Sequence, residues 1–162
     1  MQLNILDIVE GTSVDGPGLR TAIYIAGCRH RCLGCHNPQS WDFASGTPMD
    51  IDAILAIVRR NDFNVTLSGG DPLYLPKEVA LLCRRIKEEL NKDIWCYTGF
   101  RWEEIMANLE LQQPLPWLDV IVDGRFVESL RSTELHFRGS SNQRIIAVAP
   151  SLSSKHPILA KF

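Results

Sequence analysis

Residues 19–38 read Leu-Arg-Thr-Ala-Ile-Tyr-Ile-Ala-Gly-Cys-Arg-His-Arg-Cys-Leu-Gly-Cys-His-Asn-Pro. The first eight residues are rich in β-branched and aromatic side chains, which predicts a β-strand. This run ends at Gly27, and three cysteines follow at once, Cys28, Cys32 and Cys35, with the spacing C-x3-C-x2-C. The sequence therefore predicts a strand whose C-terminal end carries a loop of three thiols.

Three thiols on one short loop suit metal chemistry. The 162-residue chain has five cysteines, and an odd number with three crowded together is a poor disulfide framework. The three thiolates can hold three corners of an iron–sulfur cube. They equally suit a closed zinc site in which His30 or His36 supplies the fourth ligand. Spacing alone leaves both interpretations open, and the remaining cysteines, Cys83 and Cys96, are expected to be core residues.

Outward from this loop, short β-like segments alternate with helix-like ones. Further strands are predicted at 64–68, 93–97, 118–122 and 144–149, and helices are predicted after Asp50, from Pro76, and from Trp102 to Leu109. This alternation indicates an α/β fold of βαβ units with a mainly parallel sheet. Because chemistry gathers at the C-terminal ends of parallel strands, we expect the cysteine loop to share one edge with three turns: Gly69-Gly70-Asp71, Thr98-Gly99 and Asp123-Gly124.

Composition and the sequence near the chain termini limit the classes of protein to which the chain can belong. The formal net charge of −2 argues against strong electrostatic binding of nucleic acid that does not depend on the base sequence. The N-terminus lacks the pattern of a signal peptide, and no apolar stretch approaches the ~20 residues that span a bilayer. We therefore expect a cytoplasmic protein with no nucleic-acid or membrane partner. The length predicts a single domain over residues 1–150, and Pro, Ser and Lys residues favour a loose C-terminal tail over 151–162.

A set of short motifs flanks the cysteine loop. They are Asp15-Gly16-Pro17-Gly18-Leu19-Arg20, Cys35-His36-Asn37-Pro38-Gln39-Ser40-Trp41, Leu67-Ser68-Gly69-Gly70-Asp71-Pro72-Leu73, Tyr97-Thr98-Gly99, Val122-Asp123-Gly124-Arg125-Phe126 and Arg138-Gly139-Ser140-Ser141-Asn142-Gln143. In order and spacing they resemble the radical S-adenosylmethionine (SAM) superfamily and, within it, the activating enzymes of anaerobic ribonucleoside-triphosphate reductase. Gly34 stands where the wider superfamily usually has an aromatic residue, and Asp71 stands where it usually has Glu. Both departures fit the narrower family.

The resemblance implies a fold and a set of cofactors. The fold would be a radical SAM core, a partial TIM-like βα barrel of about six strands, fewer than the eight of a closed barrel. A [4Fe–4S] cluster would be held by Cys28, Cys32 and Cys35, with SAM on the fourth iron. SAM-binding residues would be Gly34, Cys35, His36, Gly69, Gly70 and Asp71, with Asp71 either attracting the ammonium group or capping the following helix. No side chain is expected to be catalytic, because the cluster and SAM carry the chemistry.

The resemblance also implies a reaction and partners. Reductive cleavage of SAM would give a 5′-deoxyadenosyl radical, which takes a hydrogen atom from a glycine of the large reductase subunit. Reduced flavodoxin or a similar protein would donate the electron, and Arg29 and Arg31 either receive such an acidic donor or are simply solvated. The 138–143 motif is expected either to contact SAM or to admit the partner's glycine. Two alternatives stay open: an activator of the pyruvate formate-lyase type, and a non-catalytic zinc or iron–sulfur module.

Overall fold

The computed structural model describes every residue from Met1 to Phe162. Seven strands form one sheet: β1 (Gln2–Thr12), β2 (Arg20–Ile25), β3 (Thr47–Asp50), β4 (Asn64–Gly69), β5 (Ile94–Tyr97), β6 (Val120–Asp123) and β7 (Arg144–Ala147). Their spatial order is β3-β1-β2-β4-β5-β6-β7. The helices are α1 (Ile51–Asn61), α2 (Pro76–Arg85), α3 (Trp102–Met106) and α4 (Val148–Ser154). A single π-helical turn, Ile86–Leu90, extends α2.

The sheet is parallel only at its centre, so the prediction of a mainly parallel sheet is wrong at both edges. Strands β2, β4, β5 and β6 are parallel, whereas β1 pairs antiparallel with both β2 and β3, and β7 pairs antiparallel with β6. Parallel neighbours need a crossover, usually a helix, and α1, α2 and α3 provide the connections into β4, β5 and β6. No α-helix separates β1 from β2 or β6 from β7, so these neighbours run antiparallel.

The mixed α/β class is confirmed. The five predicted strands are also confirmed, as β2, β4, β5, β6 and β7. Strands β1 and β3 are not among the predicted ones. Helix α3 ends at Met106, and Leu109, which was expected on its apolar face, is 83% exposed. Non-helical residues over 107–114 replace the expected last helical turn. Asn108 Oδ1 accepts a hydrogen bond from Glu110 N–H at 2.9 Å, a local bond that competes with the helix.

The main core lies between the helices and one face of the sheet. Along α1, Ile51, Ile54, Leu55 and Val58 are buried at helical spacing, as the sequence predicts. The face of the sheet that meets them presents alternate strand residues, which include the fully buried Cys96 beside Cys83 of α2. Both of these cysteines are therefore core residues, as expected, and burial raises the pKa of each thiol. None of the helices is long and apolar enough to cross a membrane.

The opposite face of the sheet carries polar and aromatic side chains. Arg20 of β2 is only 1% exposed, and its guanidinium lies 2.6 Å from the Asp93 carboxylate and donates to Thr66 Oγ1 at 2.8 Å. The same guanidinium lies 5.5 Å from the ring centre of Trp95, a cation–π arrangement. These contacts close the N-terminal end of this face and leave its C-terminal end available for a site.

The composition favours a loose tail from Ser151 onward, and in the structure this largely exposed segment nevertheless makes specific contacts with the rest of the chain. Ser151 is buried within α4 and accepts a hydrogen bond from Ile158 N–H at 2.8 Å. Ala160 N–H donates to Ile145 of β7 at 2.8 Å. The ring of Phe162 lies 5.6 Å from that of Trp95. Backbone pairing and an aromatic contact, which composition does not reveal, account for the difference.

Candidate metal centre

A cavity of about 400 Å³ opens at the C-terminal ends of the parallel strands. This volume lies within the range of small-molecule sites in proteins. Residues from every predicted turn meet there, so the expectation of one shared edge is confirmed. The lining includes Cys28, Cys32, Cys35, His36, Gly69, Gly70, Thr98, Gly99 and Gly124.

The cysteine loop is closed at its base by backbone hydrogen bonds. Gly27 N–H donates to Ser40 O at 2.8 Å, and Cys28 N–H donates to Trp41 O at 3.1 Å. Between these points the chain is short and polar, and Cys28, Cys32 and Cys35 are each partly buried with free thiols. Burial raises the pKa of Cys28 to about 11 and also raises that of Cys32. Both side chains are therefore neutral thiols near pH 7 and release a proton when they bind a metal.

The histidines of the loop differ in their surroundings. His30 Nε2 lies 2.7 Å from Asp71 Oδ2, with both side chains almost completely buried, and a carboxylate partner requires that this nitrogen carry the proton. His36 lines the cavity, with its ring 5.2 Å from the ring of Phe126. No group of three or more His, Cys, Asp or Glu side chains is placed so that it could hold one metal ion. His30 is thus committed to Asp71 rather than placed as a fourth ligand.

The structure explains why glycine occupies positions 69 and 70. A Cβ on Gly70 would lie 2.5 Å from Gly27 O, and a Cβ on Gly69 would lie 2.4 Å from Ile25 N. Gly69 also has a φ of +106°, which disfavours other residues. The absence of side chains therefore lets the end of β4 approach the start of the cysteine loop. The same two residues line the cavity, as expected of ligand-binding residues.

Asp71 takes up the capping role, one of the two that were predicted for it. It is 1% exposed and does not line the cavity. Its Oδ2 accepts hydrogen bonds from Thr98 Oγ1 and Gly99 N–H, both at 2.9 Å, and its Oδ1 accepts from Leu73 N–H at 3.0 Å. Together with His30, these partners join the cysteine loop to the ends of β4 and β5. Asp71 caps the turn that follows it, as one alternative predicted, and it is not among the residues that line the cavity.

Gly34 lies between Cys32 and Cys35 in the cysteine loop. It is not part of the cavity lining. Its φ is +78°, and a Cβ would lie 2.9 Å from the Glu128 side chain. The residue therefore shapes the loop between Cys32 and Cys35 and leaves room for a neighbouring segment. A larger residue here would require the Glu128 side chain to move.

The 138–143 motif forms one wall of the cavity. Gln143 Oε1 accepts hydrogen bonds from Gly139 N–H at 2.9 Å and Ser140 N–H at 3.2 Å, and its Nε2 donates to Gly124 O at 2.9 Å. Arg138, Gly139 and Gln143 line the cavity. The motif is therefore a braced loop that joins β7 to the turn after β6.

Two further polar residues of the lining are absent from the predicted site. Asp15 accepts a hydrogen bond from the Tyr24 hydroxyl, and Tyr97 donates its hydroxyl proton to Phe137 O at 2.7 Å. Burial is the main cause that raises the pKa of each tyrosine above its ordinary value. The alternation of side chains along β5 could have identified Tyr97 from the sequence, because it places Tyr97 on the face of the sheet opposite the buried Cys96.

The fold and the cavity define a class, and comparison with known proteins agrees with it. A family model described as a 4Fe-4S single cluster domain matches residues 14–146, which span the three cysteines and every turn of the cavity. The chain is therefore an iron–sulfur protein of this class.

The named relatives are more specific. The chain is 39% identical to the anaerobic ribonucleoside-triphosphate reductase-activating protein of Pasteurella multocida, over 88% of this chain and 96% of that protein. It is 38% identical to the protein of the same name from Escherichia coli K12, over 80% of this chain and 89% of that one. The chain belongs to the family of anaerobic ribonucleoside-triphosphate reductase-activating proteins.

Two other matches are less similar in sequence. The protein of the same name from Enterobacteria phage T4 is 35% identical, over 82% of this chain and 86% of that one. The crystal structure of QueE from Escherichia coli matches with a TM-score of 0.47 and 19% identity, over 61% of this chain and 53% of that chain. The family assignment rests on the sequence relatives and not on this structural likeness.

Proposed function

We propose that this protein is the radical SAM enzyme that activates anaerobic ribonucleoside-triphosphate reductase. The observation that carries the proposal is the convergence of three thiols and two glycine turns on one cavity of about 400 Å³. When bound, a [4Fe–4S] cluster and SAM would supply reductive cleavage of SAM to a 5′-deoxyadenosyl radical that takes a hydrogen atom from a glycine of the reductase. The residues of this chain bind, orient and shield these groups.

Cys28, Cys32 and Cys35 are the proposed cluster ligands. Their thiols line one cavity, and thiolates are the usual ligands of iron–sulfur clusters. The chain's other cysteines, Cys83 and Cys96, are fully buried in the core, so neither is placed to act as a fourth ligand. Three ligands leave one iron open, and that open iron is the proposed position of SAM.

The proposed SAM contacts are Cys35, His36, Gly69 and Gly70, all of which line the cavity. His36 and Phe126 present neighbouring rings, which suit the flat face of an adenine. Gly69 and Gly70 present backbone without side chains beside the cysteine loop. Asp71 contributes indirectly, because its carboxylate holds the loop and the two turns in register.

The proposed substrate is a glycine on the large subunit of the reductase. The sheet leaves β3 and β7 as separate edges, and we propose that it forms a partial TIM-like barrel whose open side admits a loop of the partner. The proposed setting is the cytoplasm, with no nucleic-acid or membrane partner, which agrees with the net charge of −2. We further propose that residues 1–150 act as one radical SAM domain, completed by residues 151–162.

Anaerobic purification followed by metal analysis tests the cluster. We expect a brown protein with about four irons and four sulfides per chain, and a colourless protein with one tightly held zinc ion would refute the proposal. With dithionite and SAM, the protein should release 5′-deoxyadenosine. Cys28→Ala, Cys32→Ala and Cys35→Ala should each lose both the cluster and this activity, whereas Cys83→Ala, the matched control from the core, should keep both.

Electron paramagnetic resonance with candidate partners tests the substrate. Incubation with the anaerobic reductase, SAM and a reductant should produce a glycyl radical signal on the large subunit. Pyruvate formate-lyase, incubated in the same way, should stay silent. A radical on the lyase alone would assign this protein to the other class of activators.

A further inference from the structure

We propose that the outer side of the cysteine loop, formed by Arg29, Arg31, Trp41 and Phe43, is the docking surface for a small acidic electron-donor protein. The inference rests on the proposed function, because a cluster that cleaves SAM must be reduced from outside. It assigns the entry of the electron to a surface that shares only Cys28 and Trp41 with the cavity proposed to hold SAM.

Cys28 connects the two surfaces. It lines the cavity of about 400 Å³ and also a second, open depression of about 530 Å³. Arg29, Arg31 and Phe43 line only the second depression, whereas Gly69 and Gly70 line only the first. The proposed ligand residue Cys28 is therefore in contact with the open space on both sides of the loop. A donor on the outer side can approach the cluster while SAM and the substrate glycine fill the inner side.

The two arginines are oriented but have no anionic partner. The Arg29 guanidinium lies 5.0 Å from the ring centre of Phe43, and that of Arg31 lies 5.5 Å from the ring centre of Trp41. Neither guanidinium forms an ion pair or a hydrogen bond within the chain. Among the other arginines, Arg131 alone shares this property. Stacked guanidinium groups keep their N–H donors free for carboxylates in a fixed geometry.

The local charge favours an acidic partner. Although the chain carries a net charge of −2, this depression presents two guanidinium groups and one carboxylate, that of Asp42. The Asp42 carboxylate accepts a hydrogen bond from Ala44 N–H at 2.9 Å, so part of its capacity is satisfied locally. Complementary charge mainly speeds encounter and fixes orientation between proteins. An acidic redox protein fits both requirements better than a neutral one.

The step itself is a simple one-electron transfer. The donor, a protein that carries a reduced low-potential flavin, loses one electron, and the cluster gains it. No bond forms or breaks in this chain, and no proton moves. The protein therefore needs only a surface that holds the donor close to Cys28 for long enough, and weak, salt-sensitive binding is sufficient.

Binding of reduced flavodoxin, used as the acidic probe, tests the proposal. Arg29→Gln/Arg31→Gln should raise the Kd for flavodoxin about tenfold and flatten its dependence on salt, because two charges are lost. The matched control, Arg59→Gln/Arg84→Gln, removes two exposed charges from α1 and α2 and should leave the Kd unchanged. In stopped-flow experiments, the loop variant should slow reduction of the cluster by flavodoxin and leave reduction by dithionite unchanged.

Two results would overturn this assignment. One is a Kd and salt dependence equal to those of the unaltered protein. The other is tight, arginine-dependent binding of free flavin mononucleotide, which would define a small-anion site instead. Arg29→Lys/Arg31→Lys keeps the charge and should retain most of the binding, which separates a charge effect from damage to the loop. Failure of the unaltered protein to cleave SAM with dithionite would refute the proposed function without affecting the binding result.

Discussion

Replacing Asp71 gives the most direct measure of how the site is held together. The carboxylate is 1% exposed and accepts three hydrogen bonds, from Thr98, Gly99 and Leu73, besides its contact with His30. Asp71→Ala removes all of these acceptors at once. The change should destabilise the fold and free the cysteine loop from the ends of β4 and β5.

The magnitude follows from the groups left behind. The backbone N–H groups of Gly99 and Leu73 would lose their acceptor, and each buried donor without a partner costs about 1–3 kcal/mol. The Thr98 hydroxyl can rotate toward another acceptor, and His30 would keep a buried N–H without a carboxylate. We expect a loss of about 3–5 kcal/mol in the free energy of unfolding, as when one partner of a buried pair is removed.

Asp71→Asn refines this estimate. An asparagine in the same position keeps one oxygen, which can still accept from Thr98 and Gly99. Its amide nitrogen would then face the Leu73 N–H, so one hydrogen bond is lost, at a cost of about 1–3 kcal/mol. The asparagine variant should therefore lie between the alanine variant and the unaltered protein in stability.

Anaerobic urea denaturation measures the free energy of unfolding, and hydrogen exchange at the Gly99 and Leu73 amides reports the local effect. Asp52→Ala is the matched control, because Asp52 is 81% exposed and pairs only with Arg85 at the surface. Such exposed pairs contribute little, so the control should unfold like the unaltered protein. If Asp71→Ala also unfolds like the unaltered protein, Asp71 does not hold the site together, and a direct contact with SAM becomes the better explanation.

Three further predictions address the same region. Gly70→Ala should lower the free energy of unfolding, measured by urea denaturation, by about 1–3 kcal/mol, because its Cβ would lie 2.5 Å from Gly27 O. The control Gly18→Ala has a φ of +73° and nothing within 4 Å of its Cβ, so it should lose only about 1 kcal/mol, from backbone strain. In the metal-free protein, iodoacetamide should alkylate Cys28 at pH 8 about tenfold more slowly than an exposed cysteine. A pKa of about 11 lowers the thiolate fraction about a hundredfold, and the greater nucleophilicity of a more basic thiolate offsets part of this loss. Equal rates in mass spectrometry would contradict this. Gln143→Ala should make the loop that it braces sensitive to limited proteolysis, and unchanged cleavage would show that the loop holds without it.

Much of the site was predictable because its signals are local. The thiols of Cys28, Cys32 and Cys35 lie within eight residues, so their spacing alone restricts them to one loop. The strand before them and the glycine turns at 69–70 and 98–99 end segments whose periodicity is visible in the sequence. Parallel strands place such turns at one edge of a sheet, and the cavity lies at that edge.

Other features depended on contacts between distant segments. His30 and Asp71 are 41 residues apart in the chain, and nothing in either local sequence pairs them. Gly70 lines the cavity, and only the structure shows that the backbone of Gly27 also fills the volume of its missing side chain. The C-terminal residues looked loose by composition, yet they pair with β7 and bring Phe162 to Trp95.

The sequence by itself determined the ligand chemistry, the α/β class and the order of the turns, because these depend on residue type and on short spacings. Only the tertiary structure decided that the sheet edges run antiparallel, that Asp71 is buried and does not line the cavity, and that Cys28 is in contact with the open space on both sides of its loop. The physical reason is that each of these features depends on contacts between segments that are distant in the chain. The strand pairings at the sheet edges and the contact between His30 and Asp71, 41 residues apart, join partners that no short stretch of sequence contains together.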